Sequence, residues 1–175
     1  MLLEAWPEIR RRTGARLRIA GADPLAVRLL LARHRVSEDG IDVLGLLSQE
    51  RLTEELLTAK ALVAPSVGME SFGMVLARAL ACALPVVASD IPGYRGVADG
   101  AGKLVPPGDA RALADAVVDL LADEPRRRTL GAAGRQRAEQ DYSWDLIAER
   151  LLGVYGHVAG LPAAETAPSL EAVPA

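Results

Sequence analysis

The sequence predicts an α/β fold, a doubly wound parallel sheet with helices on both faces. Short apolar runs such as ALVAP (61–65) and LPVVASD (84–90) alternate with longer segments of helical periodicity. The apolar runs are nearly continuous rather than alternating with polar residues, as strands buried on both faces require. Strands and helices that alternate at this spacing indicate parallel strands joined by right-handed crossovers.

The first half of the chain gives three helices and two strands in alternation. LLEAWPEIRRR has apolar residues at helical spacing, and SQERLTEELLTA (48–59) has Ser48 as a plausible helix N-cap. The strand RLRIAG (16–21) ends at Gly21, LAVRLLLARHRV (25–36) is the second helix, and IDVLG (41–45) is the second strand.

The second half continues the alternation. ALVAP (61–65) is a strand that Pro65 stops, and the next helix is predicted from about Ser71 to Cys82. LPVVASD (84–90) and GKLVPPGD (102–109) are further apolar runs bounded by turn residues. Amphipathic helices are predicted over 110–123, 125–139 and 143–155, and residues 157–175 are expected to form a flexible tail after a domain of residues 1–156.

Composition excludes several classes of protein. The net charge of −3 provides no overall field that would attract nucleic acid, so no nucleic-acid partner is expected. One cysteine cannot form a disulfide framework or a four-cysteine zinc site, and it favours a reducing, cytoplasmic setting. Apolar runs fall short of the ~20 residues that a membrane-spanning helix needs.

The stretch VGMESFGMVLARALA (67–81) carries the clearest sign of a ligand site. It follows a predicted strand, and ligands of doubly wound sheets bind at the carboxyl ends of the strands. Unpaired N–H groups and the positive end of the dipole at a helix start suit a phosphate. Gly68 would let the backbone approach such a ligand, and Gly73 would leave room in the first turn.

The polar residues of the same stretch suit a phosphorylated polyhydroxyl compound, of which a nucleotide-sugar is one example. Ser71 can donate to a phosphate oxygen, and Glu70 can accept hydrogen bonds from hydroxyl groups. The alternative is that Glu70 only caps the helix and balances its dipole.

The motif PSVGMESFGMVLARALACALPVVASDIPGYRGV…GAGKLVPPGD resembles the C-terminal, donor-binding domain of retaining GT-B glycosyltransferases of group 1 (GT4). Within that family it is most similar to the bacterial phosphatidylinositol mannosyltransferase type, and the resemblance covers roughly residues 2–155. It implies the Rossmann-like half of a GT-B enzyme. It also implies a nucleoside-diphosphate sugar donor, commonly GDP-mannose or a UDP-sugar, and a lipid or saccharide acceptor. No metal or other cofactor is implied.

The resemblance also assigns residues to the donor. Glu70 matches the first Glu of the family's E-x7-E motif, which contacts donor-sugar hydroxyls, and is the candidate catalytic residue. The backbone of Ser71, Phe72 and Gly73 would face the diphosphate, Met74 and Val75 would lie near the ribose, and Gly45, Leu46 and Leu47 would line the base pocket.

The chain departs from the family pattern at three positions. Arg78 stands where the family has the second Glu, which holds the ribose, and Arg cannot accept hydrogen bonds. It either contacts a phosphate or is a solvated helix residue. Ala83 replaces the Gly that usually closes this helix, and a left-handed Ala there costs roughly 1 kcal/mol. Gly96 stands where an acid is frequent.

The family also has an N-terminal domain and a first strand that this sequence lacks. The absent strand would lie between strands 16–20 and 61–64, so the sheet is expected to be incomplete or completed by another chain. The expected partners are the donor and the N-terminal domain or another polypeptide, and that absent half leaves open a peripheral membrane association at the inner face. Two function classes remain, a glycosyltransferase half that is inactive alone and a non-catalytic remnant or binding module with weakened nucleotide binding.

Overall fold

The computed structural model describes residues 1–160. Contacts within the chain divide it into two compact units, of which the first is Met1–Gln136 and the second begins at Arg137. The first unit contains all of the strands found in the described residues, together with the elements that carry the predicted site.

Helices and strands alternate through the first unit, and the described chain ends in helices. The helices are α1 Leu2–Thr13, α2 Pro24–His34, α3 Gln49–Thr58, α4 Met74–Ala81, α5 Pro92–Ala98, α6 Ala110–Ala122, α7 Glu124–Asp141 and α8 Trp144–Ala159. The strands are β1 Leu17–Ala20, β2 Ile41–Gly45, β3 Leu62–Ala64, β4 Val86–Ser89 and β5 Gly102–Val105. The predicted α/β class with parallel strands is confirmed.

The strands form two small parallel sheets. β1 pairs with β2, starting from Leu17 opposite Ile41. β4 lies between β3 and β5 in the second sheet, with Val86 opposite both Leu62 and Gly102. β1 and β3 do not pair, so the sheet is interrupted where the sequence predicted an interruption. The backbone edges of these two strands carry no ladder hydrogen bonds to each other.

One apolar core joins these elements. α1 packs against α6, and β4 is buried along its whole length. The core contains Trp6 and Ile9 of α1, Val87 of β4, and Leu113 and Val117 of α6. Residues of the first sheet, including Leu17 and Ile41, pack against the same cluster. Burial of these aliphatic side chains stabilises the unit at about 25 cal/mol per Å² of apolar surface removed from water.

The observed helices differ from the sequence prediction at two places. α4 begins at Met74 rather than near Ser71, because Gly73 adopts a left-handed conformation with φ of 84°. α5 was not predicted as a helix. Its sequence PGYRGVA is only 7 residues long and contains two glycines, so neither its periodicity nor its helix propensity is strong.

α8 begins after Ser143, whose side chain accepts a hydrogen bond from the backbone N–H of Leu146. It extends to Ala159, three residues into the segment 157–175 that was predicted as a tail. The remainder of that predicted tail, from residue 161, lies outside the described residues. Through residue 160, none of the helices has the length and apolar character needed to cross a membrane.

Candidate functional site

The loop between β3 and α4 is held against α5 by two contacts. The hydroxyls of Ser66 and Tyr94 lie 2.9 Å apart in a hydrogen bond, and Tyr94 is buried. Gly93 lies directly against the loop, since a Cβ built there would be 2.0 Å from the carbonyl oxygen of Glu70. The loop can therefore pack this closely against α5 only because residue 93 has no side chain.

Gly73 sets the start of α4. Its φ of 84° is a conformation that favours glycine, and a Cβ there would lie 2.9 Å from the ring of Tyr94. Its N–H donates to Oε1 of Glu70 at 3.2 Å, and its carbonyl accepts from the N–H groups of Leu76 and Ala77. Glu70 thus holds the N–H of the residue just before the helix, but its side chain forms no capping hydrogen bond to the first turn of α4.

These bonds leave two backbone donors at the helix start. In the described structure, the N–H groups of Met74 and Val75 have no hydrogen-bond acceptor. They belong to the four N–H groups that the first turn of any helix leaves without an intrahelical partner. The positive end of the helix dipole coincides with them, so this corner can accept an anion.

The surface around the helix start is open and partly apolar. Ser71 is exposed, and the side chains of Phe72, Met74 and Val75 are 42%, 53% and 42% exposed. Before them, Met69 is fully exposed and has a positive φ of 61°, which is uncommon for a residue other than glycine. Gly68, with φ of 154°, has open space around its Cα.

The other predicted donor residues lie on the first sheet. Gly45 ends β2 with a left-handed φ of 67°, and its carbonyl accepts from the N–H of Gly21 at 2.7 Å. Leu46 is 90% exposed and Leu47 is half-buried. The predicted base-pocket residues and the predicted phosphate residues therefore follow the carboxyl ends of strands in two different sheets.

Arg78 and Ala83 occupy the C-terminal half of the same helix and its end. Arg78 is exposed, and none of the ion pairs within residues 1–160 involves it. Ala83 has a left-handed φ of 54°, the conformation favoured by the Gly that the family usually has at this position. Its N–H donates to the carbonyl of Leu80 and the N–H of Leu84 to that of Ala79, the pattern of a Schellman C-cap.

The sequence did not identify three polar residues at the end of β4 and in the segment directly after it. Arg95 bonds Asp90 through its guanidinium, and this hydrogen bond holds the pKa of the Asp90 carboxyl below its ordinary value. Ser89 is fully buried, and its hydroxyl has no hydrogen-bond partner. The available signal was the polar SD pair at the end of an apolar strand, with an arginine on the following helix.

Across residues 1–160, no three His, Cys, Asp or Glu side chains are grouped closely enough to hold a metal ion.

A family model described as glycosyl transferases group 1 matches residues 1–123, which include both sheets and the whole candidate site. The chain belongs to this glycosyltransferase family. It is 42% identical over 121 residues to a phosphatidyl-myo-inositol mannosyltransferase of Mycobacterium leprae, covering 68% of this chain and 32% of that protein. An alpha-maltose-1-phosphate synthase of Mycobacterium tuberculosis is 44% identical over 123 residues, covering 63% of this chain and 32% of the synthase.

Solved glycosyltransferase structures share the fold. A sucrose-phosphate synthase from Thermosynechococcus elongatus superposes with a TM-score of 0.78 at 30% identity, covering 91% of this chain and 42% of the synthase. A glycosyltransferase from Rickettsia africae superposes with a TM-score of 0.79 at 20% identity, covering 90% of this chain and 43% of that protein. Both superpositions are consistent with this chain having the fold of a Rossmann-like half of a GT-B enzyme. This chain spans about a third of the length of the two curated relatives.

Proposed function

We propose that this chain supplies the donor-binding half of a retaining glycosyltransferase that transfers a hexose to a lipid or saccharide acceptor. The observation that carries the proposal is the start of α4, where two free backbone N–H groups lie beside the carboxylate of Glu70. A nucleoside-diphosphate sugar has the matching groups, a dianionic diphosphate joined to a ring of hydroxyls.

The diphosphate would lie against the N–H groups of Met74 and Val75. Backbone donors at a helix start bind anions without side-chain charge, and the helix dipole adds to the attraction by roughly 0.3–1 kcal/mol per charge. The Ser71 hydroxyl is exposed just before this turn and can donate to a further phosphate oxygen. Gly93 and Tyr94 keep the loop in place, so the donors are ordered before a ligand arrives.

Glu70 would contact the sugar. Its Oε1 is engaged by the Gly73 N–H, which fixes the direction of the carboxylate. In the described structure Oε2 makes no hydrogen bond, so it can accept one from a sugar hydroxyl. The contact of Glu70 with the Gly73 N–H and a contact with a sugar are therefore compatible, because each uses a different carboxylate oxygen.

Mannose from GDP-mannose is the donor that we favour. A relative from Corynebacterium glutamicum, 30% identical over 161 residues, is named as a GDP-mannose-dependent mannosyltransferase acting on a phosphatidylinositol monomannoside. The Mycobacterium leprae relative is likewise a mannosyltransferase. With such an acceptor, the reaction would take place at the inner face of the membrane.

The acceptor site would be supplied by a second, N-terminal Rossmann-like domain or by another polypeptide. A strand from the same partner, or from a segment of chain preceding α1 in a longer protein, would lie between β1 and β3. The facing edges of these two strands are not paired with each other. We therefore expect this chain alone to bind the donor but to transfer no sugar.

Calorimetry with GDP, UDP, GDP-mannose and UDP-glucose tests the proposal. Val75→Glu places a carboxylate in the first turn, where it stabilises the helix but repels a diphosphate, so it should weaken nucleotide binding by roughly ten-fold. Val75→Gln is the matched control without the charge. Glu70→Gln should weaken binding of the sugar-nucleotide more than binding of the nucleoside diphosphate alone.

Equal affinities in the parent, Val75→Glu and Glu70→Gln would refute the proposed site. If no nucleotide binds the folded parent chain, the proposal fails, and the alternative of a non-catalytic remnant is favoured.

A further inference from the structure

Helix α2 presents an apolar stripe to solvent on the side opposite its packed face. Only Val27 and Leu31 of this helix are buried. Leu25 and Leu29 are 65% and 64% exposed, and at 100° per residue they lie about 140° and about 180° around the helix from the centre of the buried face. Ala32 continues the stripe one turn further on. The outermost face of α2 is therefore apolar.

Two arginines flank this stripe without partners. Arg28 lies on one side of it and Arg33 on the other, both are exposed, and no ion pair to either occurs in the described structure. By contrast, the arginines of neighbouring elements each meet a carboxylate: Arg10, Arg11 and Arg12 on α1, Arg16 and Arg18 at β1, and Arg51 on α3. The local surface is cationic although the chain carries a net charge of −3.

Carboxylates near the ends of α2 do not neutralise the arginines that flank the stripe. The helix itself, PLAVRLLLARH, contains no Asp or Glu. Asp23 is engaged as the N-cap, where its side chain accepts from the Ala26 N–H at 2.8 Å. Glu38 lines a shallow hollow with Arg28 and the buried Leu31, on the packed side of the helix, and forms no ion pair with Arg28 in the described residues.

We infer that α2 is a docking helix for an anionic lipid surface, lying flat with Leu25 and Leu29 inserted and Arg28 and Arg33 at the headgroups. A helix with an apolar face and cationic flanks has the pattern of an interfacial membrane helix. A second copy of this chain fits less well, because a two-fold contact through the stripe would bring like-charged arginines of both copies together. The inference does not depend on the proposed donor site.

Flotation of the full chain with vesicles tests the inference. The chain should bind vesicles of phosphatidylcholine mixed with phosphatidylglycerol, and should bind pure phosphatidylcholine weakly. Added salt should release it, since screening weakens attraction between headgroups and arginines.

Paired variants separate the stripe from a general surface effect. Leu25→Gln with Leu29→Gln, and Arg28→Gln with Arg33→Gln, should each lower partitioning to anionic vesicles by roughly ten-fold or more. The controls are Leu57→Gln, which removes a leucine of α3 that is 63% exposed, and Arg111→Gln with Arg126→Gln, which removes two exposed arginines elsewhere. Circular dichroism confirms that each variant is folded.

The controls should bind like the parent. Equal loss in controls and α2 variants would overturn the inference, as would a parent chain that does not float with anionic vesicles. A concentration-dependent dimer that Leu25→Gln with Leu29→Gln abolishes, together with no vesicle binding, would assign the stripe to self-association instead.

Discussion

Ala83 closes helix α4 in a conformation that costs free energy, and replacing it with glycine should stabilise the protein. Its φ is 54°, and the hydrogen bonds from Ala83 to Leu80 and from Leu84 to Ala79, both 2.9 Å, hold it there. A left-handed residue with a Cβ costs about 1–2 kcal/mol. The greater entropy of glycine in the unfolded chain offsets about 0.4–1 kcal/mol of this.

The net gain expected for Ala83→Gly is therefore about 0.5–1 kcal/mol. Ala83 is exposed, so removing its methyl group forfeits little packing. In a domain of this size the gain raises Tm by roughly 1–4 °C. Thermal unfolding and urea unfolding, both followed by circular dichroism, measure it.

Ala133→Gly in α7 is the matched control, because it makes the same chemical change at an exposed position inside a helix. It should destabilise the protein by about 1 kcal/mol. A gain in stability for Ala83→Gly and a loss for Ala133→Gly would establish that backbone conformation decides the effect of the substitution. A loss of stability in Ala83→Gly equal to that in Ala133→Gly would show that the left-handed conformation of Ala83 carries no strain.

Three other substitutions or reactions give independent checks. Gly93→Ala should destabilise the protein by about 1–3 kcal/mol in urea unfolding, because the new Cβ would lie 2.0 Å from the Glu70 carbonyl; an unchanged midpoint would contradict the contact. Burial raises the pKa of the Cys82 thiol above its ordinary value of 9.0, so the alkylation rate should reach half of its maximum at a pH above that value; a half-maximum at or below it would contradict the shift. Arg78→Glu should tighten ribonucleotide binding by about ten-fold, since a good charged hydrogen bond is worth about 1.5–3 kcal/mol; calorimetry that shows no gain would mean that Arg78 is neutral or binds phosphate.

Local sequence was sufficient to predict most elements of the fold. Runs such as VVAS and IDVLG are rich in apolar residues because each strand must bury its own side chains. Both runs are strands in the structure. Ser48 was recognisable as an N-cap because its side chain acts within one turn, on the N–H of Arg51. The left-handed conformation of Ala83 could be anticipated only through the family resemblance, because related chains usually have Gly at this helix end.

Contacts between distant segments could not be predicted in the same way. The position of the β3–α4 loop depends on Gly93 and on the hydrogen bond between Ser66 and Tyr94, which are 28 residues apart. Gly73 was expected to leave room for a ligand, and its left-handed φ also moves the helix start to Met74. The free donors at Met74 and Val75 follow from that shift, so they could be identified only in the structure.

We propose above all that a nucleoside diphosphate binds at the start of α4. Backbone amide resonances recorded during titration with GDP or UDP test it most directly, because each N–H reports its own surroundings. We expect the largest saturable shifts at Met74 and Val75, with smaller shifts at Glu70 to Gly73. Shifts confined to other surfaces, such as the groove between α1 and α6, with no change at Met74 or Val75, would contradict it.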